Sequence, residues 1–423
     1  MTYPDSVRFL YSLGNEVKTA KYGLERITTL LAALGHPERL PRIVHVAGTN
    51  GKGSVCAMIE AGLRAAGLRT GLFTSPHLVE PTERIRIAGC PVNSSQFGAA
   101  FDRVHLCAEQ LLNDGAIDFH PTYFETVTAM AFLLFQDQKT DAIVLEVGLG
   151  GRLDATNVVR PEMCVITQVD FDHEALLGKS LEAIAGEKAG ILKPGVPAVF
   201  AAQRQEALQT LDRRAVDLSL EVIHAQEKWH IDNVELSAQG SAFTVHDGSE
   251  MRIRCPLAGE HQVANAVVAV AALHRLGIET SAIERGIAAT RWPGRLHRVS
   301  VSPEIILDGA HNPAGARALA AHIQRFYSER RVVLVYGAMR DKAVEEITGI
   351  LFPHADEVIA TAPRQSRAVD PETIRALAAH ANLRTALDLR AALELARSGD
   401  SHRAIFVTGS LFLVGEAMTL LNG

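Results

Sequence analysis

The 423-residue sequence predicts an α/β protein in which a large domain with a mostly parallel sheet precedes a smaller α/β domain. Three observations support this. Short apolar runs alternate with stretches of helical periodicity along most of the chain, the pattern of strands joined by crossover helices. An early run, Val44 to Val46, passes into a turn containing three glycines and then into a helix, which makes the large domain P-loop-type. The alternation lapses between about Glu221 and Pro256. It restarts beyond Trp292-Pro293-Gly294 as a second, Rossmann-like unit long enough to bury its own core. The expected domains are residues 1–293 and 294–423.

The elements follow in order. Asp5, Arg8 and Glu16 punctuate a first helix-like segment that lacks the apolar core of a signal peptide. The Val44–Val46 strand, the turn Gly48-Thr49-Asn50-Gly51-Lys52-Gly53-Ser54 and a helix from Val55 to Ala66 come next. Gly71 to Phe73 reads as a strand, and Glu83 to Ile87 alternates like one. Pro121-Thr122 opens a helix whose apolar body runs from Phe124 to Phe135. Buried-type strands are expected at Asp141–Val147, Met163–Val169 and Val196–Ala201, with a helix from Leu181 to Ile191. The polar-alternating stretch with Gly240 and Asp247-Gly248 reads as hairpins attached to the large domain, followed by a helix from Val263 to Leu276. In the second unit, strands are expected at Glu304–Leu307, Val332–Tyr336, Glu357–Ala360 and Ala404–Thr408. Helices are expected at Ala314–Phe326 and Pro371–His380.

Composition narrows the function classes. Hydrophobic content of 47% and charged content of 21% are ordinary for a globular chain, and a net charge of −6 argues against a general nucleic-acid binder. No apolar run approaches the length of a membrane span. The five cysteines are scattered without a C-x-x-C pair, which supports reduced thiols in a cytoplasmic setting over a disulfide framework or a zinc knot.

The turn at Gly48–Ser54 carries the chemistry most directly. Glycine admits positive φ and lets an anion approach the backbone, and the helix N-terminus adds a favourable dipole. Lys52 can reach the β- and γ-phosphates of a nucleotide, and the Ser54 hydroxyl can ligate Mg²⁺. The spacing departs from the general P-loop, because Gly53 separates Lys52 from Ser54. Other strand ends offer further polar groups. Glu146 ends an apolar strand, where a cation would offset the burial of its charge; a solvated strand-end glutamate is the alternative. His173 follows the next strand in Val169-Asp170-Phe171-Asp172-His173 and could ligate a metal, contact phosphate or serve structure alone. Ser75, in Thr74-Ser75-Pro76-His77, offers a hydroxyl to Mg²⁺, while Arg84 and Arg86 either meet an anion or lie solvated. Ligands in such sheets sit beyond the C-terminal ends of strands, and two such domains are expected to form a cleft.

Gly48-Thr49-Asn50-Gly51-Lys52-Gly53-Ser54 resembles the phosphate loop of dihydrofolate synthases and folylpolyglutamate synthases, relatives of the Mur ligases. The resemblance runs from about Gly23 to Ser410 and takes in Leu145–Asn157, Ile184–Ile191, Gly259–Asn265, Trp292–Arg295 and Leu307–Pro313. It implies that Ser54, Ser75, Glu146, His173 and Lys188 hold two Mg²⁺ ions, with Lys188 carbamylated by CO₂ into an anionic oxygen ligand. It also implies that Thr122, Tyr123, Phe124, Glu125, Leu153, Asp154 and Ala155 bind a pterin, and that Asn265, Arg295 and Asp308 meet ATP. Arg84, His311 and Ser410 are implied to hold L-glutamate, and Lys52, Lys188, Asp308 and His311 to be the catalytic set. Ala343, in Arg340-Asp341-Lys342-Ala343, departs from the resemblance by replacing a second acid.

The function implied is an ATP-dependent ligase that joins L-glutamate to dihydropteroate, to reduced folates, or to both, through an acyl phosphate. Closure of the two domains is expected to align the reactants and exclude water. Gly150-Gly151-Arg152-Leu153-Asp154-Ala155 resembles the bacterial bifunctional version. The alternatives are a monofunctional folylpolyglutamate synthase, a Mur-type ligase acting on a UDP-sugar peptide, and a nucleotide-binding regulatory module. The chain before Gly48 is too short for a UDP-binding domain, and a simple binder needs no second metal. The expected partners are small molecules alone, with no nucleic acid and no membrane, acting on a monomer.

Overall fold

The computed structural model describes residues 1–13, 23–248, 250–398 and 402–422. The chain forms two compact units that interleave in sequence. The first holds Met1–Val169, Leu177–Trp229 and Val267–Ile287; the second holds Asp170–Leu176, His230–Ala266 and Ala288–Gly423.

The sheet of the first unit contains β1 (Ile43–Ala47), β2 (Thr70–Phe73), β3 (Ile85–Ile87), β4 (Cys90–Pro91), β5 (Ala142–Glu146), β6 (Met163–Ile166), β7 (Ala198–Phe200) and β8 (Val222–His224). Their order is β4-β3-β2-β5-β1-β6-β7-β8, parallel from β2 to β8, with β3 and β4 added antiparallel at one edge. Strands β1, β5 and β6 are buried along their whole length, as continuous Val/Ile runs covered by helices on both faces must be. Glu146 is the last residue of β5 and His173 comes after β6, so the strands that carry them, consecutive in the chain, are separated by β1 in the sheet.

One sheet face is covered by helices Tyr3–Ser12, Glu25–Ala33, Ser94–Asn113 and Tyr123–Asp137, and the core between them joins Phe73, Ile143 and Leu145 to Phe97, Phe101, Val127 and Phe132. The first helix ends at Ser12, and Glu16 lies outside the described residues. Helix Ser94–Asn113 was not expected, although Phe97, Phe101, Val104 and Ala108 share one buried stripe and Asn93 with Gln96 forms a capping box. Helix Lys52–Ala65 begins at the phosphate turn, slightly before the expected Val55.

A three-stranded antiparallel meander follows: β9 (His230–Ser237), β10 (Gly240–His246) and β11 (Glu250–Cys255), ordered β11-β10-β9. Along β11, Met251, Ile253 and Cys255 are buried and alternate with exposed residues, as a sheet covered on one face requires. These strands group with the second unit rather than the first, as Ala238 and Ala258 join the second core.

The second sheet comprises β12 (His297–Val301), β13 (Glu304–Leu307), β14 (Val332–Tyr336), β15 (Glu357–Ala360), β16 (Leu383–Thr385) and β17 (Ala404–Thr408), ordered β12-β13-β17-β14-β15-β16. It is parallel except for β12. The helix expected at Pro371–His380 stops at Leu377, and the His380 ring turns to the Ala355 carbonyl instead.

Candidate active site

In the first unit the expected residues collect at the C-terminal edge of four adjacent parallel strands, β2, β5, β1 and β6. The phosphate turn Gly48–Ser54 follows β1. Gly51 caps helix Lys52–Ala65 at φ 85°, a left-handed conformation that glycine adopts without the Cβ penalty. At Gly48, also at positive φ, a Cβ would lie 1.8 Å from the Thr167 hydroxyl oxygen. The residue just after β6, Thr167, thus packs too closely for any side chain there. The loop is held from the same side, because the N–H groups of Thr49 and Asn50 both donate to the Gln168 carbonyl, at 2.8 and 3.1 Å. The Lys52 ammonium folds back on its own loop and donates to the carbonyls of Gly48 and Thr49, each at 3.1 Å.

Glu146 and Ser54 are almost fully buried, at 4% and 3% exposure. One Glu146 oxygen accepts the Ser75 backbone N–H at 3.0 Å, which joins the ends of β5 and β2. Burial, and after it the charge of Glu146, pushes the Cys56 thiol well up; Lys52 opposes the shift. Carboxylate and hydroxyl oxygens are the kind of donor that Mg²⁺ prefers. Lys188, 3% exposed on helix Leu181–Ala189, donates its ammonium to the Gly48 carbonyl at 2.8 Å. In that form it is a hydrogen-bond donor to the loop and no metal ligand, whereas a carbamate on the same nitrogen would offer oxygens.

The segment after β5 is organised by Asp154. Its Oδ2 accepts the N–H groups of Gly148 and Leu149 at 3.0 Å each, and its Oδ1 accepts the Thr156 N–H and hydroxyl at 3.0 and 2.5 Å. Burial raises its pKa, and these four hydrogen bonds pull in the other direction. Ala155 is buried and Leu153 half-buried. The other segment implied to bind the pterin opens helix Tyr123–Asp137, where Thr122 and Glu125 form a capping box. The Glu125 carboxylate is also ion-paired with Arg26 at 2.7 Å. Phe124 tilts against Phe73, and its ring would lie 2.6 Å from a Cβ at Gly148, which brings the two segments together. Arg84 joins this group: its guanidinium lies 4.9 Å over the Tyr123 ring and donates to His77 Nδ1 at 2.9 Å.

The second unit makes a corresponding edge. Asp308, His311 and Asn312 follow β13, Ser410 follows β17, and Lys342 follows β14. Asp308 accepts the Leu296 and Ala310 N–H groups at 2.9 and 3.0 Å and so ties the segment of Arg295 to its own turn. The Arg295 guanidinium lies against Gly309, where a Cβ would sit 2.3 Å from Nη1. Asn265 donates to the Gln262 side chain at 3.0 Å. His311 donates Nδ1–H to the Gly309 carbonyl at 2.8 Å, which places Nε2 3.7 Å from Asp172. Ser410 is buried, and its hydroxyl accepts the Phe412 N–H at 3.2 Å.

Asp172 is the hub of this edge, although nothing in its sequence position singles it out beyond the polar run Asp170–His173. Lys342 pairs with it at 2.7 Å, with both side chains largely buried, and His173 Nε2 lies 3.9 Å away. Burial pushes the Asp172 carboxyl up, but His311, Lys342 and His173 together outweigh it and hold the group well below the usual carboxylate range. His173 has these contacts inside the second unit, whereas Glu146 and Lys188 belong to the first. Likewise Arg84 groups with Tyr123 in the first unit, whereas His311 and Ser410 belong to the second.

Comparison with known proteins identifies the lineage. Residues 46–273 match the Mur ligase middle domain and residues 294–411 the glutamate ligase domain of Mur ligases. The dihydrofolate synthase/folylpolyglutamate synthase of Bacillus subtilis is 35% identical over 408 residues, covering 94% of each chain. The chain belongs to the dihydrofolate synthase/folylpolyglutamate synthase family of the Mur ligases. This ligase also resembles solved relatives over its full length. Mycobacterium tuberculosis folylpolyglutamate synthase, solved with ADP and AMPPCP, superposes with a TM-score of 0.92 at 34% identity, covering 100% of this chain and 99% of that one. E. coli FolC, solved with DHPP and ADP, gives 0.88 at 31% identity, covering 100% and 98%. Like them, this family member is an ATP-dependent glutamate ligase with an α/β fold of two domains. Among the described residues, no helix is long and apolar enough to cross a membrane.

Proposed function

We propose that this ligase adds L-glutamate both to dihydropteroate and to reduced folates, releasing ADP and phosphate. The acceptor carboxylate takes the γ-phosphoryl group of ATP and becomes an acyl phosphate. The glutamate amine then attacks the acyl carbon, phosphate leaves with the C–O bond electrons, and the amine's surplus proton is lost to solvent or a basic group. The single observation that supports this most is the phosphate turn at Gly48–Ser54, held by the Gln168 carbonyl just after β6, together with the Asp154-ordered segment that follows the neighbouring strand β5. Lys52 swings from the Gly48 and Thr49 carbonyls to the transferring phosphoryl group. Asn265, Arg295 and Asp308 serve the nucleotide, and His311, Ser410 and Arg84 serve the glutamate. Phe124 and Tyr123 offer ring faces to the pterin, and Asp154 contributes by shaping the loop, as four hydrogen bonds already engage its carboxylate.

Ser54, Ser75 and Glu146 would hold one Mg²⁺, and Lys188 as a carbamate, with His173, a second. Bound there, the ions neutralise charge on the phosphoryl group. For carbamylation the Lys188 ammonium first gives up one proton to solvent, and the neutral amine then adds to CO₂ with loss of a second. Incubation with ¹³C-bicarbonate should give a carbamate ¹³C resonance that Lys188→Ala abolishes; its absence in the active enzyme rejects the modification. We take the working form to be a cytoplasmic monomer, a setting that the free thiols of Cys56, Cys90, Cys107, Cys164 and Cys255 support.

The deciding experiment supplies purified protein with ATP, Mg²⁺ and labelled L-glutamate, and with each acceptor separately. Labelled product with both is expected. Product with a reduced folate alone would leave a monofunctional synthase, and no product with either would defeat the acceptor assignment.

A further inference from the structure

We propose that His105, Glu109 and His120 form a binding site for a Zn²⁺-class divalent metal ion, separate from the phosphate turn. His105 and Glu109 are one turn apart on helix Ser94–Asn113, and His120 sits in the segment leading to helix Tyr123–Asp137. Their ligand atoms converge, all lying within 4.8 Å of one another. His105 Nδ1 and His120 Nε2 are 3.4 Å apart, and Glu109 Oε1 is 4.0 Å from each. Ligands about 2.1 Å from a tetrahedral ion are separated by about 3.4 Å. The histidine pair already has that separation, and the half-exposed Glu109 can close the remainder by a rotamer change.

The surrounding contacts favour ligation. His120 donates Nδ1–H to the Pro121 carbonyl at 2.8 Å, which leaves the Nε2 lone pair directed at His105. A metal-binding histidine has this same arrangement, its second nitrogen fixed by a carbonyl. The His105 ring is held by stacking on Phe101 and an edge contact with Phe9, and Phe9 also contacts His120. Both imidazoles are mostly buried, with 15% and 14% of their side chains exposed, while Glu109 opens to solvent and gives an ion its entry path. On binding, the His105 proton moves from Nδ1 to Nε2, so both imidazoles ligate in neutral form. Two imidazoles and a carboxylate suit Zn²⁺ or Co²⁺ better than Mg²⁺, which prefers oxygen alone.

The full-length protein should be titrated with Co²⁺ in excess Mg²⁺, which fills oxygen-only sites. One equivalent should bind with the intense visible bands of four- or five-coordinate Co²⁺, and Zn²⁺ should displace it. His105→Phe, which keeps a ring between Phe9 and Phe101, and Glu109→Gln should each weaken binding on the order of tenfold or more while the protein stays folded by circular dichroism. Weak octahedral bands, sulfur-to-cobalt charge transfer, or a spectrum unchanged in both variants would overturn the assignment.

Discussion

At the scale of single residues, charge and close approach decide the outcome. Among the described residues, the Lys52 ammonium hydrogen-bonds the Gly48 and Thr49 carbonyls of its own loop and no carboxylate, so its removal unpairs none of them. Lys52→Ala should keep the unfolding midpoint and lose ligation by about 10²–10³-fold or more at saturating ATP. Turnover near that of the parent in the folded variant would remove Lys52 from the phosphoryl-transfer step. Asp154 behaves in the opposite way. Replacing it by alanine strips partners from the Gly148, Leu149 and Thr156 N–H groups in a buried turn, and should lower stability by about 2–3 kcal/mol in urea titrations. Glutamate incorporation should fall with both acceptors, and unequal losses would indicate two binding modes.

Among elements, helix beginnings set the site. Helix Lys52–Ala65 starts from a left-handed glycine, and Gly51→Ala should cost about 1–2 kcal/mol through backbone strain alone. Helix Tyr123–Asp137 starts from the Thr122–Glu125 box, and Thr122→Ala should cost about 1 kcal/mol. The two substitutions are distinguishable by nucleotide binding. Gly51→Ala should weaken ADP affinity in calorimetry, whereas Thr122→Ala should leave it unchanged. Equal effects on ADP would mean that the phosphate turn does not depend on that glycine. Capping signals of this kind are legible in sequence, and Pro121-Thr122 and the glycine turn were both readable as helix starts. Helix Ser94–Asn113 carries the same signals in Asn93 and Gln96, but its stripe is diluted by glycine, alanine and polar residues, so periodicity alone passes over it.

For the molecule as a whole, buried histidines make the fold sensitive to acid. Burial, aided by the charge of Lys193, lowers the His45 pKa to about 3 from the ordinary 6.5. Burial likewise lowers that of His322, in the second unit, to about 4, and Asp308 partly opposes it. An unfolded chain binds these protons first, so stability is complete above about pH 6.5 and declines as pH falls toward 4. Each histidine contributes a slope of up to about 1.4 kcal/mol per pH unit across that window. Urea midpoints between pH 7 and 4.5 should fall, and His45→Gln, which can still donate to Thr156, should flatten the decline for the first unit. A variant with an undiminished slope would show that His45 does not drive it.

By itself the sequence determined much of the local structure: most of the longer apolar strands, the glycine turn that opens a helix, and a motif series that resembles the folate ligases. Those features depend on neighbours within a few residues, where sterics and periodicity act. The tertiary structure decided what lies far apart in sequence. It inserted β1 between β5 and β6, joined the β9–β11 meander to the second unit, and gathered Lys342, His311 and His173 around Asp172. It also paired His105 with His120 across a helix end. Such groupings follow from strand order and core packing, which are summed over the whole chain and leave no mark on any single segment.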